Sequence, residues 1–413
     1  MVGKFPAGRP SVPEARALMN GKMKSPKLQF RVSPRSVYHS LVIRRLYVHN
    51  FRCLENFELP ISGQPSVLLI GKNGSGKTTV SFALEILQRI ARGTNRVRDL
   101  VDPKDLTRGR TDVPVRFEIE VELASKVYEY VIAFELPAGF KEMRVFEEKL
   151  VADGKPVFTR EVAQVLLSKA HEKAAKFLID WHLVALPIIQ EQSKEDPLLI
   201  FKQWLGRMLI LRPMPGLIKG DSNIETLQPN PQVTDLGAWF SGLLAYAPAA
   251  YTKIDEYLKQ VMPDLEDIKN PATGADSRSL VVQFSNAQTS PLESLSLAFK
   301  DLSDGEKCFM ICALVLAANN AYGPLFCFWD EPDNYLALSE VGHFVLALRK
   351  AFQSGGQFIA TSHNPEAINR FSEENTLFLQ RKNHFEPTVV RPLGQLQVSG
   401  DLVGALVRGD VGP

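Results

Sequence analysis

The chain has 413 residues, enough for two or three lobes each with its own core. With 45% hydrophobic and 23% charged residues and a net charge of +2, it has the composition of an ordinary soluble globular protein, and no global field draws it onto nucleic acid or an anionic membrane. No apolar run approaches the ~20 residues of a membrane span, and residues 1–40 lack an apolar signal-peptide core, so a cytoplasmic protein without membrane partners is expected.

In the first 45 residues ten Lys and Arg face only Glu14. Residues 1–40, rich in Pro, Ser and Gly, read as a basic flexible extension, either a solvated segment or a nucleic-acid arm. Residues 41–48 and 51–59 alternate as paired strands would and lead into a buried strand at 66–70. A Gly-rich loop follows, and then an amphipathic helix with Val80, Leu84, Leu87 and Ile90 at helical spacing. Residues 113–123 and 127–136 form an alternating, half-exposed antiparallel hairpin, and 143–151 another strand. From 161 to about 268 the pattern turns helical around a strand-like 208–211, with helices at 235–246 and 251–262. Strand character returns at 280–284.

From Asp304 the chain alternates between helix and strand: helix to about 320, strand 325–329, helix 339–352, strand 357–360, helix 365–371, strand 376–380. The expected architecture is an α/β nucleotide-binding core with an added antiparallel N-terminal sheet. Residues 41–160 and 301–413 supply its two halves, separated by a mainly helical insertion lobe at 161–300. Cys53, Cys308, Cys312 and Cys327 fall in apolar patterns without C-x-x-C spacing, which favours structural burial over a zinc site.

Gly71-Lys72-Asn73-Gly74-Ser75-Gly76-Lys77-Thr78 matches the phosphate-loop pattern G-x-x-x-x-G-K-[ST] at every fixed position, between a strand and a helix as that loop requires. Gly71, Asn73, Gly74, Ser75 and Gly76 let successive backbone N–H groups wrap a polyphosphate, and the helix start at Thr78 and Thr79 adds partial positive charge. Lys77 reaches the β- and γ-phosphates, and the Thr78 hydroxyl ligates Mg²⁺. Leu325-Phe326-Cys327-Phe328-Trp329-Asp330-Glu331 is a buried strand delivering two carboxylates to its C-terminal end. Asp330 suits Mg²⁺, and Glu331 suits activation of the attacking water. His363, just beyond the next strand, is placed to reach the γ-phosphate. Leu302-Ser303-Asp304-Gly305-Glu306-Lys307 is a helix cap by its own pattern, Ser303 as N-cap with Glu306 three residues on. It stands about twenty residues before the acidic strand, and a cap of this kind also presents N–H groups to an anion.

These motifs occur in the order found in ATP-binding-cassette (ABC) ATPases. On Asn50-Phe51-Arg52, residues 71–78, residues 302–307, Asp330-Glu331-Pro332-Asp333-Asn334 and Thr361-Ser362-His363-Asn364-Pro365, the chain resembles the RecF/SMC-like branch. It is similar more narrowly to stand-alone AAA-type ATPases related to the overcoming-lysogenization-defect (OLD) family, many of which serve in bacterial antiphage modules. The resemblance implies ATP and Mg²⁺ as ligands and a head-to-tail homodimer or higher homo-oligomer in which Ser303 and Gly305 of one chain meet the γ-phosphate bound to the other. It also implies that Arg52 contacts nucleotide phosphates; an Arg on an exposed strand face is the alternative. Two departures stand out: Ala337 replaces the Asp normally seven positions after Asp330, with Asn334 as a possible substitute, and no Gln between 88 and 164 marks the loop glutamine.

The function this implies is an ATP-hydrolysing switch that controls a separately encoded effector, a nuclease being the favoured kind, in antiphage defence. The tail from Arg391 carries only Asp401 and Asp410 as acids, so no nuclease centre is expected within it. The competing readings are a RecF-like DNA-binding ATPase in repair, a transporter ATPase and a non-hydrolysing ATP sensor. The repair reading needs a basic groove, for which Arg89, Arg92, Arg96, Arg98, Lys104, Arg108 and Arg110 are the candidates.

Overall fold

A computed structural model describes residues 42–168, 175–285 and 294–396. The first part of the chain holds β1 (Val42–His49), β2 (Phe57–Leu59), β3 (Ser66–Ile70), α1 (Lys77–Ala91), β4 (Val115–Leu123), β5 (Lys126–Glu135) and β6 (Arg144–Ala152). The middle holds β7 (Lys155–Glu161), β8 (Gln164–Leu167), β9 (Ala175–Leu178), α2 (Pro197–Arg207), β10 (Leu209–Leu211), β11 (Asp221–Ser222), α3 (Leu236–Tyr246) and α4 (Ala250–Val261). There follow β12 (Leu265–Lys269), β13 (Arg278–Ser279), β14 (Val281–Ser285), β15 (Ser294–Ala298), α5 (Asp304–Tyr322) and β16 (Phe326–Trp329). The last elements are α6 (Leu338–Gln353), β17 (Gln357–Thr361), α7 (Pro365–Asn369), β18 (Thr376–Gln380) and β19 (Val389–Pro392).

Two sheets dominate. An antiparallel sheet runs β2-β1-β4-β5-β6-β7-β8-β9, and a second sheet runs β10-β16-β17-β3-β18-β19, parallel except for its β18–β19 edge. The strands of the parallel core are continuous apolar runs because both faces are covered. Val67, Leu69, Phe326, Phe328 and Ile359 face one core, shared with α1, α2 and the antiparallel sheet. Their neighbours Leu68, Ile70, Cys327, Trp329 and Phe358 face a second core, built with α3, α4, α5 and α6. The expected mixed α/β core with an antiparallel N-terminal sheet is thus the architecture observed.

Two expectations change. Residues 161–300, expected to be mainly helical, contain three helices among the described residues, alongside strands of every sheet. β8 and β9 extend the antiparallel sheet, β10 joins the parallel sheet beside β16, and β12-β14-β15 form a small sheet of their own. These strands are two to five residues long, too short for a period-2 pattern to stand out from neighbouring helices. The strand expected over 51–59 is reduced to β2, because Asn50, Arg52 and Asn56 adopt positive φ and turn the chain. The basic extension and Asp401 and Asp410 lie outside the described residues.

Candidate functional site

The phosphate loop leaves β3, fully buried at the middle of the parallel sheet, and enters α1. Gly71 sits at φ 152° and Gly76 at φ 101°, and both are hemmed in by neighbouring atoms. A Cβ on Gly71 would stand 2.1 Å from the Leu379 carbonyl oxygen, and one on Gly76 2.7 Å from Thr388 Oγ1. Glycine is required here for space as well as for dihedral angle. Lys77 is only 6% exposed, and its Nζ donates to the Gly71 carbonyl at 2.8 Å. Burial lowers the Lys77 pKa, opposed by the negative charges of Glu331 and Asp330. That coupling sets the lysine and the two acids in one electrostatic neighbourhood, although 253 and 254 residues of sequence separate them (330 − 77 and 331 − 77).

Strand order explains the meeting. β16, β17 and β3 are consecutive neighbours, so residues 330–331, 361–363 and 71–78 all emerge from the C-terminal edge of one sheet, where ligands of parallel sheets bind. Thr361, fully buried at the end of β17, ties the strands together. Its hydroxyl donates to Asp330 Oδ1 at 2.6 Å and accepts from the Glu331 N–H at 2.9 Å. The Asp330 N–H is in turn held by the Leu211 carbonyl of β10 at 2.8 Å. Glu331 adopts φ 51°, the left-handed region that a non-glycine residue rarely occupies. Such geometry persists where surrounding bonds over-determine it. Asn334 Nδ2 donates to Glu331 Oε2, and His363 Nε2 lies 3.6 Å from Glu331 Oε1. Burial is the main cause that lowers the His363 pKa, the Lys77 charge adds to it, and Glu331 and Asp330 oppose it. Behind them Ser362 donates to the buried Asp333 carboxylate at 2.9 Å.

The donor set fits a magnesium–triphosphate. The Ser75 hydroxyl is buried with no hydrogen-bond partner, and a Cβ at Gly71 or Gly76 would strike the wall behind the loop. Thr78 is exposed at the first turn of α1, and Thr361 engages one oxygen of Asp330. A hydroxyl and a carboxylate are the hard oxygen ligands that Mg²⁺ takes alongside phosphate and water. Asn73 and Gly74 are exposed on the loop, and Thr79 receives a hydrogen bond from Cys53 Sγ at 3.5 Å.

Ser303 lies elsewhere. It caps α5 in a reciprocal box with Glu306, whose N–H donates to Ser303 Oγ at 3.3 Å and whose carboxylate receives the Ser303 N–H at 2.7 Å. Ser303 is exposed, and Gly305 approaches the Tyr335 carbonyl so closely that a Cβ would stand 3.0 Å from it. Among the described residues no hydrogen bond or ion pair joins Ser303 to the Lys77–Glu331 cluster. Arg52 pairs with Asp105 at 2.9 Å and lies over the Phe82 ring of α1, 4.3 Å from its centroid. Arg212, just after β10, covers the same ring at 4.5 Å and pairs with Glu85.

Sequence reasoning included Thr361 in the 361–365 motif without giving it a role, and it missed Arg212 and Thr388, neither of which falls on a motif. Several of the cations considered for a groove are also engaged internally. Arg92 donates to the carbonyls of Gly206, Met208 and Pro229, and Arg108 and Arg110 both pair with Glu55. Among the described residues no helix is long and apolar enough to cross a membrane.

Residues 42–386, well over half of the chain, match the model of the RecF/RecN/SMC N terminal domain. A curated relative, the OLD nuclease of Thermus scotoductus, is 44% identical over 46 residues, which are 11% of this chain and 8% of that protein. The match therefore spans less than a tenth of the relative's length. Among solved structures, an SMC head bound to the C-winged helix domain of ScpA is 15% identical, with a TM-score of 0.47 over 85% of this chain and 98% of that one. The SMC head domain from Thermotoga maritima is 14% identical, with a TM-score of 0.42 over the same shares. The chain belongs to the RecF/RecN/SMC N-terminal domain family of ABC-type ATPases.

Proposed function

We propose that this chain binds Mg·ATP in the 71–78 loop, hydrolyses it with Glu331 as base, and uses the cycle as a switch on a separately encoded effector in antiphage defence. The observation that carries the catalytic reading is the convergence of Lys77, Asp330, Glu331 and His363 at the ends of three adjacent strands. Lys77 releases the Gly71 carbonyl to meet the β- and γ-phosphates. Glu331, aimed by Thr361 and Asn334, takes a proton from the water that attacks the γ-phosphorus. The bond to the bridging oxygen breaks and ADP carries away the electron pair. Thr78 and Asp330 are the residues that would hold Mg²⁺, which when bound screens the phosphate charge. Burial and the Lys77 charge disfavour the protonated form of His363, which hydrogen-bonds the γ-phosphate.

Ser303, exposed at the N-cap of α5 with its side chain bonded within its own capping box, and the half-buried Gly305 beside it suit completion of the site in a second copy. A helix N-terminus capped in this way offers its N–H groups to the γ-phosphate bound by the partner. The effector reading rests on the resemblance to OLD-related proteins and on the partial match to the OLD nuclease.

The experiment is phosphate release combined with light scattering, on wild type, Lys77→Ala and Glu331→Gln. Wild type turns over, Lys77→Ala neither binds nor turns over, and Glu331→Gln binds ATP and accumulates as a dimer. Wild-type turnover by Glu331→Gln would remove the base assignment. Affinity capture of Glu331→Gln with ATP, against Lys77→Ala, tests the switch: a single abundant effector supports it. DNA-stimulated turnover that collapses with salt would replace the defence role by DNA repair.

A further inference from the structure

A phosphate-binding loop works by turning its N–H groups inward, which forces the carbonyls of the same peptides outward. An outward carbonyl in a buried wall then needs its own donor. For the Ser75–Gly76 peptide that donor comes from the far end of the chain. Thr388, 3% exposed and immediately before β19, donates its hydroxyl to the Ser75 carbonyl at 2.9 Å. Its backbone N–H donates to the Cys53 carbonyl, also at 2.9 Å. Thr388 Oγ1 and Cys53 Sγ are the atoms that a Cβ on Gly76 would strike, at 2.7 and 3.0 Å. The hairpin that carries Thr388 is fixed from outside by Arg108, which donates to the Phe385 carbonyl while paired with Glu55 at 2.6 Å. Cys53 and Thr388 thus form a wall pressed against the closed side of the loop.

We propose that Thr388 is a positioning residue for the nucleotide: by holding the Ser75 carbonyl it fixes the planar peptide so that the Gly76 N–H, on the opposite side, faces the polyphosphate. The proposal rests on the reading of residues 71–78 as the ATP site. Thr388 touches no nucleotide itself and acts through the loop. Loss of its hydroxyl leaves the Ser75 carbonyl without a partner and frees the peptide to rotate, so the cost appears in ATP affinity.

The test is isothermal titration of full-length protein with ATP·Mg²⁺, comparing wild type with Thr388→Val, Thr388→Ser and Thr388→Ala. Thr388→Val keeps the shape and the backbone N–H but loses the hydroxyl, and weakens binding about threefold to tenfold, the worth of one net hydrogen bond. Thr388→Ser keeps the hydroxyl and binds within about twofold of wild type. The ATP-induced rise in thermal midpoint shrinks for Thr388→Val, whereas a purely structural role would lower the ligand-free midpoint and leave that rise intact. Wild-type affinity in Thr388→Val overturns the proposal. If Thr388→Val does not fold, the Thr388→Ser and Thr388→Ala pair decides: equal affinities overturn the role and a loss confined to Ala supports it. Failure of wild type to bind ATP would refute the nucleotide reading and this role with it, whereas a binding wild type beside an unaffected Thr388→Val refutes the role alone.

Discussion

Thr361→Val tests the site with little change of shape. The side chain is fully buried, and valine replaces the hydroxyl by a methyl group of similar size. Two bonds disappear: the 2.6 Å donation to Asp330 and the 2.9 Å acceptance from the Glu331 N–H. The first is charge-assisted, a class worth about 1.5–3 kcal/mol. The second helps hold Glu331 at φ 51°, a conformation whose cost of about 1–3 kcal/mol is released once the N–H is free. If the loss of the first bond falls wholly on the transition state, kcat drops roughly tenfold to 150-fold. A looser Asp330 also raises the Mg²⁺ concentration for half-maximal turnover, while ATP binding in the absence of metal stays near wild type. Thr361→Ser restores both bonds and recovers most of the rate. The assay is steady-state phosphate release across a magnesium series. Wild-type kcat with an unchanged magnesium requirement in Thr361→Val would refute the account of how the acids are positioned.

Three further outcomes are expected. The His363 ring, followed by proton NMR in metal-free protein, titrates below 6.5; Lys77→Met raises that midpoint and Glu331→Gln lowers it further. Because the folded-state value is depressed, the unfolded chain takes up this proton first as pH falls, so His363 weakens folding below about pH 6.5 and is neutral in effect above it. Gly76→Ala abolishes ATP binding, since its Cβ meets Thr388 and Cys53 at an unfavourable φ; wild-type affinity there would contradict the wall behind the loop. Arg160→Met destabilises the protein by about 3–5 kcal/mol in urea, because Glu148 is left as a fully buried charge without its counter-ion, and a second change, Glu148→Leu, recovers part of that loss. A cost below about 1 kcal/mol would show that the pair is not a fixed element of the core.

The candidate site was legible in sequence wherever its residues lie within a few positions of one strand end. Residues 71–78, Asp330 with Glu331, and His363 each follow an apolar run, and the run itself announces the buried strand. What stayed hidden depends on pairing across long separations. β10 lies beside β16, with Leu209 opposite Cys327, and a three-residue strand carries no pattern from which that neighbour could be read. Thr388 bonds a residue 313 positions away. Glu148 looks like one more solvent-facing charge on an alternating strand. It is buried because the chain at 180–186 folds back over it, and the Ala185 and Leu186 N–H groups donate to its carboxylate at 2.7 and 2.8 Å. Arg160 serves the same segment by donating to the carbonyls of Asp180 and Leu183, and it also donates to the Val162 carbonyl beside its own strand. The hydrophobic pattern of β6 and β7 cannot show this, since the partner is a turn rather than a facing strand.

The order of strands also suggests how the two halves of the site communicate. β17 lies between β3 and β16, so the phosphate loop and the acidic pair are separated by two strand spacings, roughly 10 Å at about 4.8 Å each. The residue at the end of that middle strand touches the acid side, and two positions later His363 faces Glu331. Glu331 is therefore gripped at its N–H by Thr361 and approached at its carboxylate by His363, both from the same short segment. A shift of the β17 end when the γ-phosphate engages His363 would move the base together with its backbone anchor. Thr361→Val breaks the anchor and leaves the imidazole in place. In that variant the response of turnover to His363→Ala should fall below its wild-type size, and full additivity of the two rate losses would refute the coupling.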